Sequence, residues 1–221
     1  MFLFQELVTM AELKIVFISD THGQHAGVRL PKGDVLIHAG DFMTHGDRLS
    51  EIASFNHWLS KQPHRHKIVI AGNHDLLFES DPLLARAQLT AATYLENSAV
   101  EIEGLRFWGS PQQPRFLDWA FNVDRGPAIR RYWDMIPGET DILITHGPPF
   151  GILDTITPSG EHLGCQELTG AVQRVRPQLH VFGHIHGGHG KCEQDGIRYV
   201  NASILDENYR IAYSPQVVTL D

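Results

Sequence analysis

The stretch His180-Val181-Phe182-Gly183-His184-Ile185-His186 starts as a short apolar run and ends in a glycine followed by two imidazoles one residue apart. A run of that length, stopped by glycine, reads as a buried strand. The imidazoles then lie where the chain leaves the sheet, and even if the strand continued, positions i and i+2 would share one face. The same pattern recurs upstream. Asp20-Thr21-His22 follows an apolar run at 14–19, Gly40-Asp41 one at 34–39, Gly72-Asn73-His74-Asp75 one at 67–71, and Thr145-His146-Gly147 one at 141–145.

Further strand-like runs lie at 105–109, 197–201 and 217–220. Helical periodicity appears between them at 49–61, 125–135 and 165–175, each stopped by a proline (Pro63, Pro137, Pro177). Strands that alternate with helices and then follow one another near the end predict an α/β protein with helices outside a mixed core. In such sheets ligands collect beyond the carboxyl ends of the strands, where Asp20, Asp41, Asn73, His146 and His184 all fall. No repeat or linker divides the chain. We therefore expect an N-terminal extension over residues 1–12, in which Met10 would serve as an alternative start, and a single domain over 13–221.

The chain has 221 residues, 42% of them hydrophobic, enough for one substantial core. Its 18 basic and 26 acidic residues give a net charge of −8, which argues against a broad basic face for nucleic acid. Two divalent ions would halve that charge and focus a positive field at one place, which suits a small phosphate ester. Two cysteines, Cys165 and Cys192, make no disulfide framework, so a reducing cytoplasm is expected. The first residues lack the basic start of a secretory signal, and no apolar run is long enough for a membrane span.

Carboxylate, amide oxygen and imidazole suit first-row divalent metals. One carboxylate can bridge two ions about 3.5–4 Å apart, the spacing used for displacement at phosphorus. The ordered set D-x-H, G-D, G-N-H-D, T-H-G and G-H-x-H resembles the calcineurin-like metallophosphoesterase superfamily over nearly the whole chain. The stretches HAGDF (38–42), SPQQPRF (110–116), THGPP (145–149) and HVFGHIH (180–186) further resemble its metallophosphoesterase-domain-containing branch and the bacterial relatives of that branch.

The resemblance implies a four-layer α/β/β/α sandwich of two mixed sheets flanked by helices. It also implies one ion held by Asp20, His22, Asp41 and His186, and a second by Asp41, Asn73, His146 and His184. Both would be divalent transition metals, Mn first, with Fe, Ni, Co or Zn as alternatives. Some members of the branch carry glycine for a histidine of the last cluster; here both histidines are present. Water activated between the two cations would attack phosphorus while His74 protonates the leaving oxygen and Asp75 orients His74.

The expected activity is hydrolysis of small, nucleotide-type phosphodiesters. Alternatives are a phosphomonoesterase or protein phosphatase, or a metal-binding scaffold without catalysis. Gly164 and Cys165 open a helix whose free N–H groups could receive phosphate, and Phe121 and Asn122, beside Trp119, could line a base site. His38 reads as a core group, while His25, His45, His57, His64, His66 and His180 read as surface or helix-face residues. The oligomeric state stays open.

Overall fold

The computed structural model describes residues 12–156 and 159–220; most of the expected N-terminal extension, residues 1–11, lies outside them. In chain order the strands are β1 (Leu13–Ile18), β2 (Val35–Ala39), β3 (His66–Ile70), β4 (Thr93–Tyr94), β5 (Ser98–Ile102), β6 (Leu105–Ser110), β7 (Gln113–Pro114), β8 (Asn122–Val123), β9 (Ile142–Thr145), β10 (Leu179–Phe182), β11 (Gly190–Gln194), β12 (Ile197–Asn201) and β13 (Gln216–Leu220). The helices are α1 (Leu49–Ser60), α2 (Leu77–Ser80), α3 (Pro82–Gln88), α4 (Pro127–Trp133) and α5 (Gln166–Val175).

Two large sheets result. The first has the order β13-β1-β2-β3-β4, parallel except for β13, and the second the order β11-β12-β10-β9-β6-β5, parallel except at its two edges. The central strands are buried on both faces, and alternate residues enter different cores. Ile15, Phe17, Ile37 and Ile70 meet Phe107, Ile142, Ile144 and Val181 between the sheets. Val16, Ile18, Leu36 and Val69 face Ile52, Phe55 and Leu59 of α1. Trp108, Leu143 and Phe182 face Ile129 and Trp133 of α4 and Leu168 and Val172 of α5. The architecture is the four-layer α/β/β/α sandwich.

Each of the eight expected strands and three expected helices forms, within a residue or two at most ends. Helix α4 starts at Pro127, after Gly126 turns at φ 82°, because proline at the first helical position gives up no needed N–H. The elements not anticipated are short or polar. The edge strands β5 and β11 expose most of their residues, so they carry no apolar run to announce them.

Topology places the polar clusters together. Strands β1, β2 and β3 are neighbours, as are β9 and β10, so the residues after them share one end of the molecule. There the sheets touch: Ser19, just past β1, pairs in parallel with Ser203, just past β12.

Candidate metal centre

Three overlapping groups could each hold a cation, with ligand atoms within 4.8 Å of one another: Asp20, His22 and His186; His22, Asp41 and His74; and Asp41, His146 and His184. Asn73 joins the last, its Oδ1 lying 2.9 Å from His146 Nε2. Asp41 is common to two groups. Its Oδ2 is 3.7 Å from His22 Nε2 and 3.4 Å from His146 Nε2. All seven residues expected as ligands thus converge on one locus.

The tautomers show what the locus can hold. His146 Nδ1 donates to Ala39 O at 2.9 Å, and His186 Nδ1 donates to Asp206 O at 2.9 Å. Each ring therefore turns an Nε2 lone pair inward. For His146 that lone pair meets Asn73 Oδ1, an acceptor opposite an acceptor, a contact that needs a cation or a proton to be favourable. For His186 it meets Asp20 Oδ1 at 3.6 Å. The buried His22 Nε2 has no hydrogen-bond partner. Metal ions with nitrogen and oxygen ligands satisfy all of these at once.

Electrostatics agree. Burial would lower His146, but the Asp41 carboxylate outweighs it and raises that imidazole to about 9. Burial and Asp20 oppose one another in the same way at His186, which also rises to about 9. Burial would raise Asp41 and Asp20, yet His146 and His22 hold Asp41 low and His186 holds Asp20 low. Two buried anions demand positive charge, and protons compete with metal for the same nitrogens.

The backbone is shaped for this purpose. Asp20 (φ 56°), His22 (φ 39°), Asp41 (φ 57°) and His184 (φ 66°) all adopt the left-handed region that non-glycine residues avoid. Neighbouring contacts enforce it: Asp20 N donates to Gly40 O, His22 N to Asp41 O, and His184 N to Asp20 Oδ2 at 3.0 Å, while Ser203 Oγ donates to Asp20 Oδ2 at 2.7 Å. Only glycine fits at two close approaches. A Cβ on Gly72 would strike Asp41 Oδ1 and His146, and one on Gly183 would strike Asp20 Oδ2 and Ser19.

Two buried histidines brace the ligand loops. His38 Nε2 lies 2.9 Å from Oγ1 of Thr21, between Asp20 and His22, and His180 Nε2 lies 2.8 Å from Oγ1 of Thr145, beside His146. Thr145 Oγ1 donates onward to Gly147 O at 2.7 Å, so His180 must donate to the threonine. Burial drives both imidazoles down to about 3. His38 is the core group expected; His180, with His25 and His64, is buried rather than on the surface. Outward-facing residues of β10 lie beneath helix α5, so a polar residue type at 180 did not mean exposure.

His74 stands beside the metal locus. Its N–H donates to Asp41 Oδ1 at 2.8 Å, its ring stacks on Trp119 at 4.0 Å, and it meets His22 edge-on at 4.6 Å. Asp75 does not orient it. The Asp75 carboxylate instead accepts from Gly72 N (2.7 Å), Asp41 N (2.9 Å) and Met43 N (2.9 Å), tying three ligand-loop backbones together, while His74 Nδ1 lies 3.4 Å from Thr44 O.

A cleft of about 460 Å³ opens over this floor. Its wall contains Phe116, Leu117, Trp119, Ile156, Leu163 and Tyr209, which sequence reasoning did not select apart from Trp119. The signal available was three large apolar side chains in the aperiodic run Arg115-Phe116-Leu117-Asp118-Trp119. Phe121 is buried in the core beneath, and its N–H donates to Glu79 Oε1. Asn122 clasps the loop: its Nδ2 donates to Phe116 O and Leu117 O, and its Oδ1 accepts from Phe116 N. Neither lines the cleft. Cys165 does, but Cys165 N donates to Pro148 O and Gly164 N to Asp154 Oδ2, so these N–H groups are not free for phosphate. Burial also pushes the Cys165 thiol up to about 11, which rules it out as a ready nucleophile.

Comparison with known proteins points the same way. Residues 13–188 match the family model described as calcineurin-like phosphoesterase. Metallophosphoesterase domain-containing protein 1 of Homo sapiens is 43% identical over 231 residues, covering 94% of this chain and 71% of that protein. A UPF0046 protein of Caenorhabditis elegans is 38% identical over 219 residues, covering 93% and 74%. Among solved structures, TT1561 of Thermus thermophilus superposes with a TM-score of 0.61 at 13% identity, covering 96% of this chain and 99% of that one. Another solved chain reaches 0.68 at 14% identity, covering 96% and 100%.

Proposed function

The chain belongs to the calcineurin-like phosphoesterase family, a family of phosphate-ester hydrolases that use divalent metals, and on that premise we propose that it is a dinuclear phosphodiesterase acting on small phosphodiesters. One observation carries the reading: seven buried or half-buried residues, Asp41 among them, form overlapping ligand clusters at one locus, with Asp41 between His22 and His146. Asp20, His22, Asp41 and His186 would hold one ion, and Asp41, Asn73, His146 and His184 the other. A bound pair of divalent ions, Mn first, would supply Lewis acidity toward the phosphoryl oxygens and water of lowered pKa.

The residues around the ions do the remaining work. His74 lines the cleft beside Asp41 and His22, where it would deliver a proton to the departing oxygen. Asp75 acts as a positioning residue by fixing the backbones of Gly72, Asp41 and Met43. The wall loops close the cleft to a volume suited to a small ester, which favours such a substrate over a folded phosphoprotein. We assign one catalytic unit to residues 13–221. We place it in the cytoplasm, a reading supported by the free thiols of Cys165 and Cys192. Among the described residues no helix is long and apolar enough to cross a membrane.

The test is hydrolysis of bis-p-nitrophenyl phosphate against p-nitrophenyl phosphate, with Mn²⁺, Fe²⁺, Ni²⁺, Co²⁺ or Zn²⁺ in turn and after chelation. Metal-dependent preference for the diester is expected. Preference for the monoester overturns the diesterase assignment, and no hydrolysis with any of the five metals points to a scaffold.

A further inference from the structure

The position of His74 restricts what can leave. If its imidazole protonates the leaving oxygen, the rest of the leaving group must extend along whatever adjoins His74. Beyond the candidate ligands, and with Glu207, Arg115 and Arg125 also in the lining, the large side chains there are mostly apolar. Trp119 stacks on the imidazole at 4.0 Å and 29°, Tyr209 meets it at 6.5 Å, and Phe116, Leu117, Ile156 and Leu163 continue the same cleft. The two arginines in the wall are engaged by the protein. Arg115 Nε donates to Asp124 at 2.6 Å, and Arg125 donates to the carbonyls of Gly164 and Leu163.

The wall is also built at a cost. Phe116 is 57% exposed, Leu117 66% and Tyr209 50%, an unusual grouping of large side chains open to water. Leu117 (φ 50°) and Tyr209 (φ 57°) are held in the left-handed region. Asn122 clasps one turn, and Asp206 Oδ1, which accepts from Asn208 N and Arg210 N, pins the other. Strain and exposure that recur on two separate loops, both turned toward one cleft, mark a surface shaped for a ligand.

We propose that the alcohol released from phosphorus is aromatic or broadly apolar and seats against Trp119, Phe116 and Leu117. This rests on the diesterase reading above and names its leaving group. Water supplies the new P–O bond. The P–O bond to the leaving group breaks with its electron pair on that oxygen, and His74 supplies the proton.

The experiment measures inhibition of methyl p-nitrophenyl phosphate hydrolysis by two phosphonates whose variable group is joined to phosphorus through carbon and cannot leave, methyl benzylphosphonate and methyl methylphosphonate, on the Mn²⁺-loaded protein. The benzyl compound is expected to bind at least about tenfold more tightly. Phe116→Ala and Trp119→Ala should each narrow the ratio by about threefold or more, and the double variant should bring it near unity with two metals per chain still found by elemental analysis. Phe116 is exposed, so its variant tests the wall without disturbing the fold. Equal inhibition in wild-type protein that still hydrolyses the diester overturns this proposal alone, as does a ratio that survives the double variant. Absence of both metal-dependent hydrolysis and phosphonate binding overturns it together with the diesterase reading.

Discussion

The floor of the cleft and its wall are made differently. Floor residues each stand directly after a buried parallel strand, and their side chains hold one another across both sheets. Wall residues stand on loops, exposed or half-buried, and depend on clasps such as Asn122. The contrast teaches that the chemistry is anchored in the core while recognition hangs from its margin, so damage to the two should differ in kind.

The largest effect expected is at the shared ligand. Asp41→Asn should weaken metal binding by more than the roughly 100-fold seen for outer-shell changes and abolish turnover, checked by calorimetry and elemental analysis. A variant that keeps two tightly held metals would break the contrast at its base. Next comes His74→Asn, which should lower kcat by about 10²–10⁴ while metal content stays at two. Thr145→Val severs the bonds to His180 and Gly147 without changing side-chain size, and metal affinity should fall by about 10- to 100-fold. Unchanged affinity would mean the core does not anchor the His146 loop.

A pH series sharpens the same point. His180 falls from 6.5 to about 3 on folding, so its contribution is complete above the unfolded value. Below pH 6.5 the unfolded chain takes up a proton that the folded chain refuses, and stability drains as pH falls toward 3. Relative to His180→Gln, which keeps a donor for Thr145 but does not titrate there, wild-type stability should drop by up to about 1.4 kcal/mol per pH unit, read from urea unfolding. Parallel pH curves for the two proteins would show His180 is not the buried neutral group described. The smallest effect belongs to the wall. Asn122→Ala should cost about 1–2 kcal/mol of stability and raise KM for aryl esters with metal affinity intact; a loss of metal there would erase the distinction between floor and wall.

What could be read in the sequence follows the same divide. Asp20, Asp41, Asn73, His146 and His184 were legible because a strand end fixes position, and an apolar run marks a strand. Asp75 reads as the partner of its neighbour His74, whereas its carboxylate accepts from nearby Gly72 N and from the distant Asp41 N and Met43 N. Phe121 and Asn122 were placed in the cleft when Phe116 and Leu117 occupy it. No periodicity reports direction through a loop whose turns at Leu117 and Phe121 are left-handed. Gly164 and Cys165 looked like an open helix start, but their N–H groups had found Asp154 and Pro148, partners 10 and 17 residues away.

Four of the seven candidate ligands stand in backbone shapes their side chains disfavour, each at a cost of about 1–3 kcal/mol. Glycine would adopt those shapes freely. It would also give up the bonds these side chains make, such as Ser203 Oγ to Asp20 and His74 N to Asp41. The strain is therefore the toll of keeping a carboxylate or an imidazole where the chain turns most sharply, and a residue that turned freely there would bring nothing for a cation to hold.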